Sequence, residues 1–187
     1  MDLPIKNKLV LGISSCWIII LIPNAIKIND YISALLLLNI NISSVLFWYY
    51  YNYNSFHYYN DKISVIIYGV YLFYKSIYLY NYLFLIIQIK LVLLLYLLSY
   101  YFTIKKYYEL QLISHLLFRY TFFIWSFHIF NCNYNQLLII SINYFTYNYY
   151  LYKIIDYNTY FIYLLYTLIF NYSFIISLNL NNYFINN

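Results

Sequence analysis

Between residues 9 and 178 the chain repeats one pattern, an apolar run followed by a short polar break. A helical run of about 20 mostly apolar residues crosses roughly 30 Å of hydrocarbon, and these runs come close to that length. A water-soluble fold would need a polar coat. Only 8% of the 187 residues are charged and 65% are hydrophobic, against about 25% charged in an average soluble domain. Lipid as solvent removes the need for that coat. With two glycines and two prolines in all, the chain also lacks the tight turns of a transmembrane β-barrel. The expected fold is therefore all-α, a multi-pass transmembrane helix bundle forming one domain over 1–187.

Seven spans are expected, at 9–26, 31–51, 63–79, 82–102, 110–130, 136–152 and 159–178, with an Asn-rich tail at the end. Asp30 is a suitable N-cap for the second span. Residues 52–61 read as a polar, aromatic connection, and Asn81 marks a hairpin. The sixth span is the weakest, interrupted by Asn143 and Asn148, so six spans are the alternative. Lysine placement favours seven. With seven crossings Lys6, Lys8, Lys62, Lys105, Lys106 and Lys153 share one side, leaving Lys27 and Lys75 opposite. By the positive-inside rule the N-terminus then lies on the cytoplasmic side, or the matrix side of an organelle. Met1–Lys8 resembles the start of a signal peptide, but no small-residue cleavage site follows, so the first run reads as a span.

The 31 tyrosines, with abundant Ile, Asn, Leu and Phe, match translation of a very AT-rich genome. An organelle inner membrane or a host or viral membrane is the expected location. The net charge of +5 is spread thinly along the chain, so no nucleic-acid partner is expected. Cys16 and Cys132 lie far apart in apolar settings and read as small core residues.

Few residues could carry chemistry. Lys90 and Arg119 fall inside spans, where a charge costs about 3 kcal/mol on insertion scales. His115 and Arg119 are spaced i, i+4 and share a helix face. His128 lies 13 residues after His115, about 20 Å along an unbroken helix, so those two histidines cannot share a metal ion. His57 and Asp61, four residues apart, precede the third span near one membrane interface.

Ser43-Ser44, His57 and Asp61 resemble the corresponding region of the seven-span membrane hydrolases that include the alkaline ceramidases and adiponectin-receptor-like proteins. The resemblance covers about twenty residues. It implies a serine, an aspartate and three histidines holding a zinc ion that activates water. On this chain it would make Ser43, His57 and Asp61 catalytic candidates, and His57 with either His115 or His128 candidate zinc ligands. The family's histidine pair in the last span is absent from 159–178.

No nucleophile motif, phosphate-binding loop or Cys-x-x-Cys pair is present, and no cofactor is expected outside the zinc reading. The first expectation is thus a structural or accessory membrane component, without an activity of its own. Its partners would be the lipid bilayer and other membrane subunits. A zinc-dependent intramembrane hydrolase is one alternative. A small transporter or proton path using Lys90 and Arg119 is another.

Overall fold

The computed structural model describes residues 3–52, 54–79, 82–130 and 134–185, with side chains as far as residue 173 except at 79, 134, 135 and 172. Seven helices and no strand occur among the described residues. They are α1 (Ile5–Lys27), α2 (Tyr31–Tyr50), α3 (Phe56–Leu79), α4 (Tyr82–Ile104), α5 (Tyr108–Ile129), α6 (Tyr134–Ile154) and α7 (Tyr160–Ile185). Three of them, α1, α2 and α4, are long and apolar enough by themselves to cross a membrane.

The helices alternate in direction. At the N-terminal end of the bundle, Asn7 Nδ2 donates to the Tyr108 carbonyl at 2.6 Å and Lys6 Nζ to the Lys153 carbonyl at 3.2 Å. These bonds bring the starts of α1 and α5 together with the end of α6. At the opposite end the start of α2 meets the end of α3, where Lys75 Nζ lies 3.2 Å from Asp30 Oδ2. The helix α1 is the central strut, packed against α2, α5, α6 and α7, and it is far more buried than α4.

Local chemistry accounts for where the helices begin and how they hold together. Asp30 caps α2, accepting hydrogen bonds from Ser33 N and Ser33 Oγ, as its position before the apolar run suggests. Ser55 does the same for α3, taking a bond from Tyr58 N at 3.2 Å. That cap starts α3 at Phe56, so His57 and Asp61 lie in its first two turns rather than in a polar connection. In α6 the expected interruptions are absorbed: Asn143 Nδ2 donates to the Ile139 carbonyl and Asn148 Nδ2 to the Tyr144 carbonyl. An amide that donates back to its own helix leaves the backbone ladder in place, although Asn148 Oδ1 stays buried without a partner among the described residues. The helix α7 continues to Ile185, through the segment expected as a tail. Asn81 and Cys132 lie outside the described residues.

Within α1, α-helical segments at Ile5–Ser14 and Ile22–Lys27 flank a 3-10 stretch at Ser15–Leu21. Such a stretch in mid-helix tightens the backbone and frees carbonyls for other donors. The Leu11 carbonyl takes the hydroxyls of Ser14 and Ser15 and, from α5, Nη1 of Arg119. The central strut is thus altered next to the arginine that the sequence places in mid-span.

The outer surface is strongly apolar. Leu35, Ile66, Leu93, Leu97, Leu138, Ile142, Phe161 and Leu165 are each more than half exposed. A surface of that kind is solvated by lipid or covered by protein, not by water.

Candidate functional site

A cavity of about 860 Å³ opens inside the bundle, walled by α1, α2, α3, α4 and α5 with Tyr144 of α6. Its position follows from a packing mismatch. The helix α4 packs closely on α5 and α3 on α2, whereas α3 and α4, neighbours in the chain, scarcely touch. The gap between them is lined by exposed residues, Ile66 and Val70 from α3 and Leu93 and Tyr100 from α4. The cavity therefore opens sideways through the apolar outer surface.

Its two ends differ chemically. Toward the N-terminal end of the bundle the wall carries Ser44, Asp61, Lys62, Ser99, Gln111 and His115, with Arg119 just deeper. Toward the other end it is Ile18, Ile40, Val70, Phe73, Phe122 and Trp125. The polar groups are held in a fixed arrangement. Ser44 Oγ donates to Asp61, joining α2 to α3. Ser99 Oγ and His115 Nδ1 share a hydrogen bond of 3.2 Å, joining α4 to α5. Arg119 Nη1 reaches Ser14 Oγ at 2.6 Å as well as the Leu11 carbonyl. Its guanidinium lies 5.6 Å from the Trp48 ring centroid, within the range of a cation–π contact. The same indole packs edge-on against His115, centroids 5.1 Å apart. Lys62 is steered by aromatic rings, its Nζ 4.9 Å from the centroid of Tyr96 and 5.7 Å from that of Tyr58.

All three tryptophans of the chain, Trp17, Trp48 and Trp125, line this cavity. Trp125 Nε1 donates to Ser76 Oγ at 2.7 Å. Nε1 of Trp17 and of Trp48 are buried donors without a partner among the described residues. An unpaired buried donor costs about 1–3 kcal/mol, so the wall holds two groups that an acceptor would stabilise.

The residues singled out from the sequence thus divide. Asp61, His115 and Arg119 come together around the polar end, and Ser44 joins them. Ser43 is buried in α2 and donates to the Ile40 carbonyl, apart from the cavity wall. His57 stacks on Tyr50 at 5.1 Å, and His128 packs edge-on against Phe84 at 5.3 Å; neither lines the cavity. Lys90 faces outward from α4. Of the catalytic candidates Ser43, His57 and Asp61, only Asp61 lines the cavity, hydrogen-bonded to Ser44. Among the described residues no three His, Cys, Asp or Glu side chains are grouped to hold a metal ion, so zinc does not fit these donors.

Sequence reasoning missed Ser99, Trp48 and the Leu11 carbonyl as parts of the site. Ser99 carried a readable signal, as the only serine of α4. No protein-family model matches the chain, and no curated protein or solved structure is similar to it.

Proposed function

We propose that this is a seven-span membrane protein whose bundle binds a single-chain amphiphile with an anionic head, entering sideways from the leaflet on the N-terminal side. The N-terminal end of the bundle lies on the cytoplasmic or matrix side. Support for the crossings comes from the alternating helix directions and the apolar outer surface. Support for the orientation comes from the lysine distribution.

The observation that carries the reading is the graded cavity. Its volume lies in the range of about 300–1,000 Å³ that holds small molecules. Its polar end sits toward the membrane surface, where an amphiphile's head would be, and its apolar end points toward mid-membrane. At the polar end Arg119 and Lys62 outnumber Asp61, which already accepts from Ser44. The remaining field favours a negative head. Arg119 would orient it, since a guanidinium stays charged and presents several donors. Trp17, Ile18 and Phe122 would shield the chain. The gap between α3 and α4 is the route of entry. No bond-making step is assigned. A transport path through Lys90 and Arg119 has no support, because only Arg119 faces the cavity.

The test uses the tryptophans. Bromine-labelled stearate quenches indole fluorescence on contact, and all three indoles are in the cavity wall. Titrating the detergent-solubilised protein should give saturable quenching at one ligand per chain. Arg119→Gln should weaken it about ten-fold, equal to about 1.4 kcal/mol. Ile89→Phe with Val92→Phe, which fills the wall, should abolish it. Linear, unsaturable quenching unchanged by these substitutions would overturn the proposal.

A further inference from the structure

The helix α4 carries a lysine that the bundle does not use. Lys90 lies eight residues past Tyr82 in a 23-residue helix, about 12 Å of rise from the helix start. Its side chain is exposed on the outside of the bundle. It makes no hydrogen bond, ion pair or ring contact among the described residues. Of the other helical lysines, Lys6, Lys8, Lys62, Lys75 and Lys153 each meet a carbonyl, a carboxylate or an aromatic ring, and Lys27 is the exposed last residue of α1. Lys90 is flanked on its own face by Ile87, Leu94, Leu97 and Tyr101, each about half exposed or more. The spacing of three, four and seven residues makes these one continuous stripe.

We infer that this stripe is the docking face for a transmembrane helix of another protein, one that carries an aspartate or glutamate at the depth of Lys90. The inference rests on the membrane placement proposed above, and is independent of amphiphile binding. A charge in hydrocarbon is rare unless it faces protein or water, and its usual partner is an opposite charge. Apolar side chains on either side would supply the packing that association in lipid requires.

A second copy of this chain is the wrong partner. Two α4 helices docked symmetrically would oppose Lys90 to Lys90. Among the described residues the chain's own acids cannot reach the face: Asp30 and Asp61 are buried and engaged. Glu109 sits in the first turn of α5 and Asp156 in the turn before α7, both at the bundle end away from Lys90. The carboxylate must come from a different protein.

The test uses full-length protein in phosphatidylcholine bilayers with single-span polyleucine peptides bearing Glu, Gln, Leu or Lys at the centre. Association is read by energy transfer between labelled partners. The Glu peptide should bind at least ten-fold more tightly than the Leu peptide. Lys90→Leu should remove that difference, and Lys90→Glu should transfer the preference to the Lys peptide. Equal binding of the Glu and Leu peptides would overturn the inference, as expected of a lysine that only bends toward the membrane surface. So would stronger transfer between two copies of the protein than to the Glu peptide. Lys90 is outside the cavity wall, so stearate quenching should be unchanged in Lys90→Leu. Loss of quenching in the wild type would count against the cavity alone.

Discussion

Replacing Gly12 by alanine tests how closely α7 is docked on the central helix. Alanine in a helix interior is favoured over glycine by about 1 kcal/mol, so by propensity alone Gly12→Ala would stabilise α1. The packing opposes it. A Cβ built on Gly12 lies 2.5 Å from the Tyr160 hydroxyl oxygen, nearly 1 Å inside ordinary contact, while the next neighbours, Trp48 Cβ and Tyr160 Cε2, are at 3.4 Å. Tyr160 is fully buried at the first turn of α7, so its ring cannot swing aside. Overpacking of this kind costs about 1–3 kcal/mol; a fixed ring puts it near 3, leaving a net loss of about 2 kcal/mol. The Tyr160 hydroxyl has no hydrogen-bond partner among the described residues. Tyr160→Phe alone should therefore be neutral or stabilising by up to about 1 kcal/mol. In that background the 2.5 Å contact is gone and Gly12→Ala should change sign, stabilising by about 1 kcal/mol. The coupling of about 3 kcal/mol is readable by reversible unfolding in mixed dodecyl sulfate and maltoside micelles. Equal effects of Gly12→Ala in both backgrounds would refute the docking, since independent sites add.

Asp30 should make stability acid-sensitive. It lies between α1 and α2, where burial pushes its carboxyl up, but hydrogen bonds from Ser33 and Tyr71 and the Lys75 ammonium outweigh this and hold it below 3.8. A carboxylate lowered on folding contributes stability that is complete above 3.8 and is lost as pH falls through the lower folded value. Melting temperature in detergent should hold steady above about pH 5 and drop below it, with a smaller acid drop in Asp30→Asn. At pH 7, Asp30→Ala should cost about 1 kcal/mol for the lost cap. Ser76→Ala strands the Trp125 indole donor and should cost about 1 kcal/mol, the scale of interhelical bonds in membranes, measured in the same micelles. Metal analysis of the purified protein should find no stoichiometric zinc. One zinc per chain, lost in both Asp61→Asn and His115→Ala, would restore the hydrolase reading.

The helices were legible because their signal is repeated. Every apolar run of about twenty residues became a helix, and the Asp30 cap set the start of α2. Errors came where a single side chain decides a boundary. Ser55 starts α3 early by accepting one backbone bond, and Asn143 and Asn148 keep α6 intact by bonding backward within it. Composition weighs such residues as polar and so reads a break. The site was legible in part. The i, i+4 spacing placed His115 and Arg119 on one face, and both line the cavity. The pairing of Asp61 with Ser44 depends on α2 and α3 running antiparallel with a particular stagger, which no local spacing encodes.

Lys90 and Arg119 show how far sequence alone goes. Each is a basic residue well inside an apolar helix, and each carries the same cost of leaving water. For Arg119 the fold meets that cost internally, with a carbonyl freed in α1, a serine hydroxyl and an indole face. For Lys90 it does not: the side chain emerges on the least buried of the three most apolar helices. The difference arises from helix rotation, since Gln88 and Ile89 of α4 turn toward the bundle while the residue after them turns away. A rotation of about 100° per residue separates a charge the protein has solvated from one it has left for something else. In the isolated protein Lys90→Leu relieves that unmet cost whichever reading holds, so stability alone does not separate them. A product of compositional bias leaves the binding of a carboxylate-bearing helix unchanged on substitution, whereas a docking charge takes that binding preference with it.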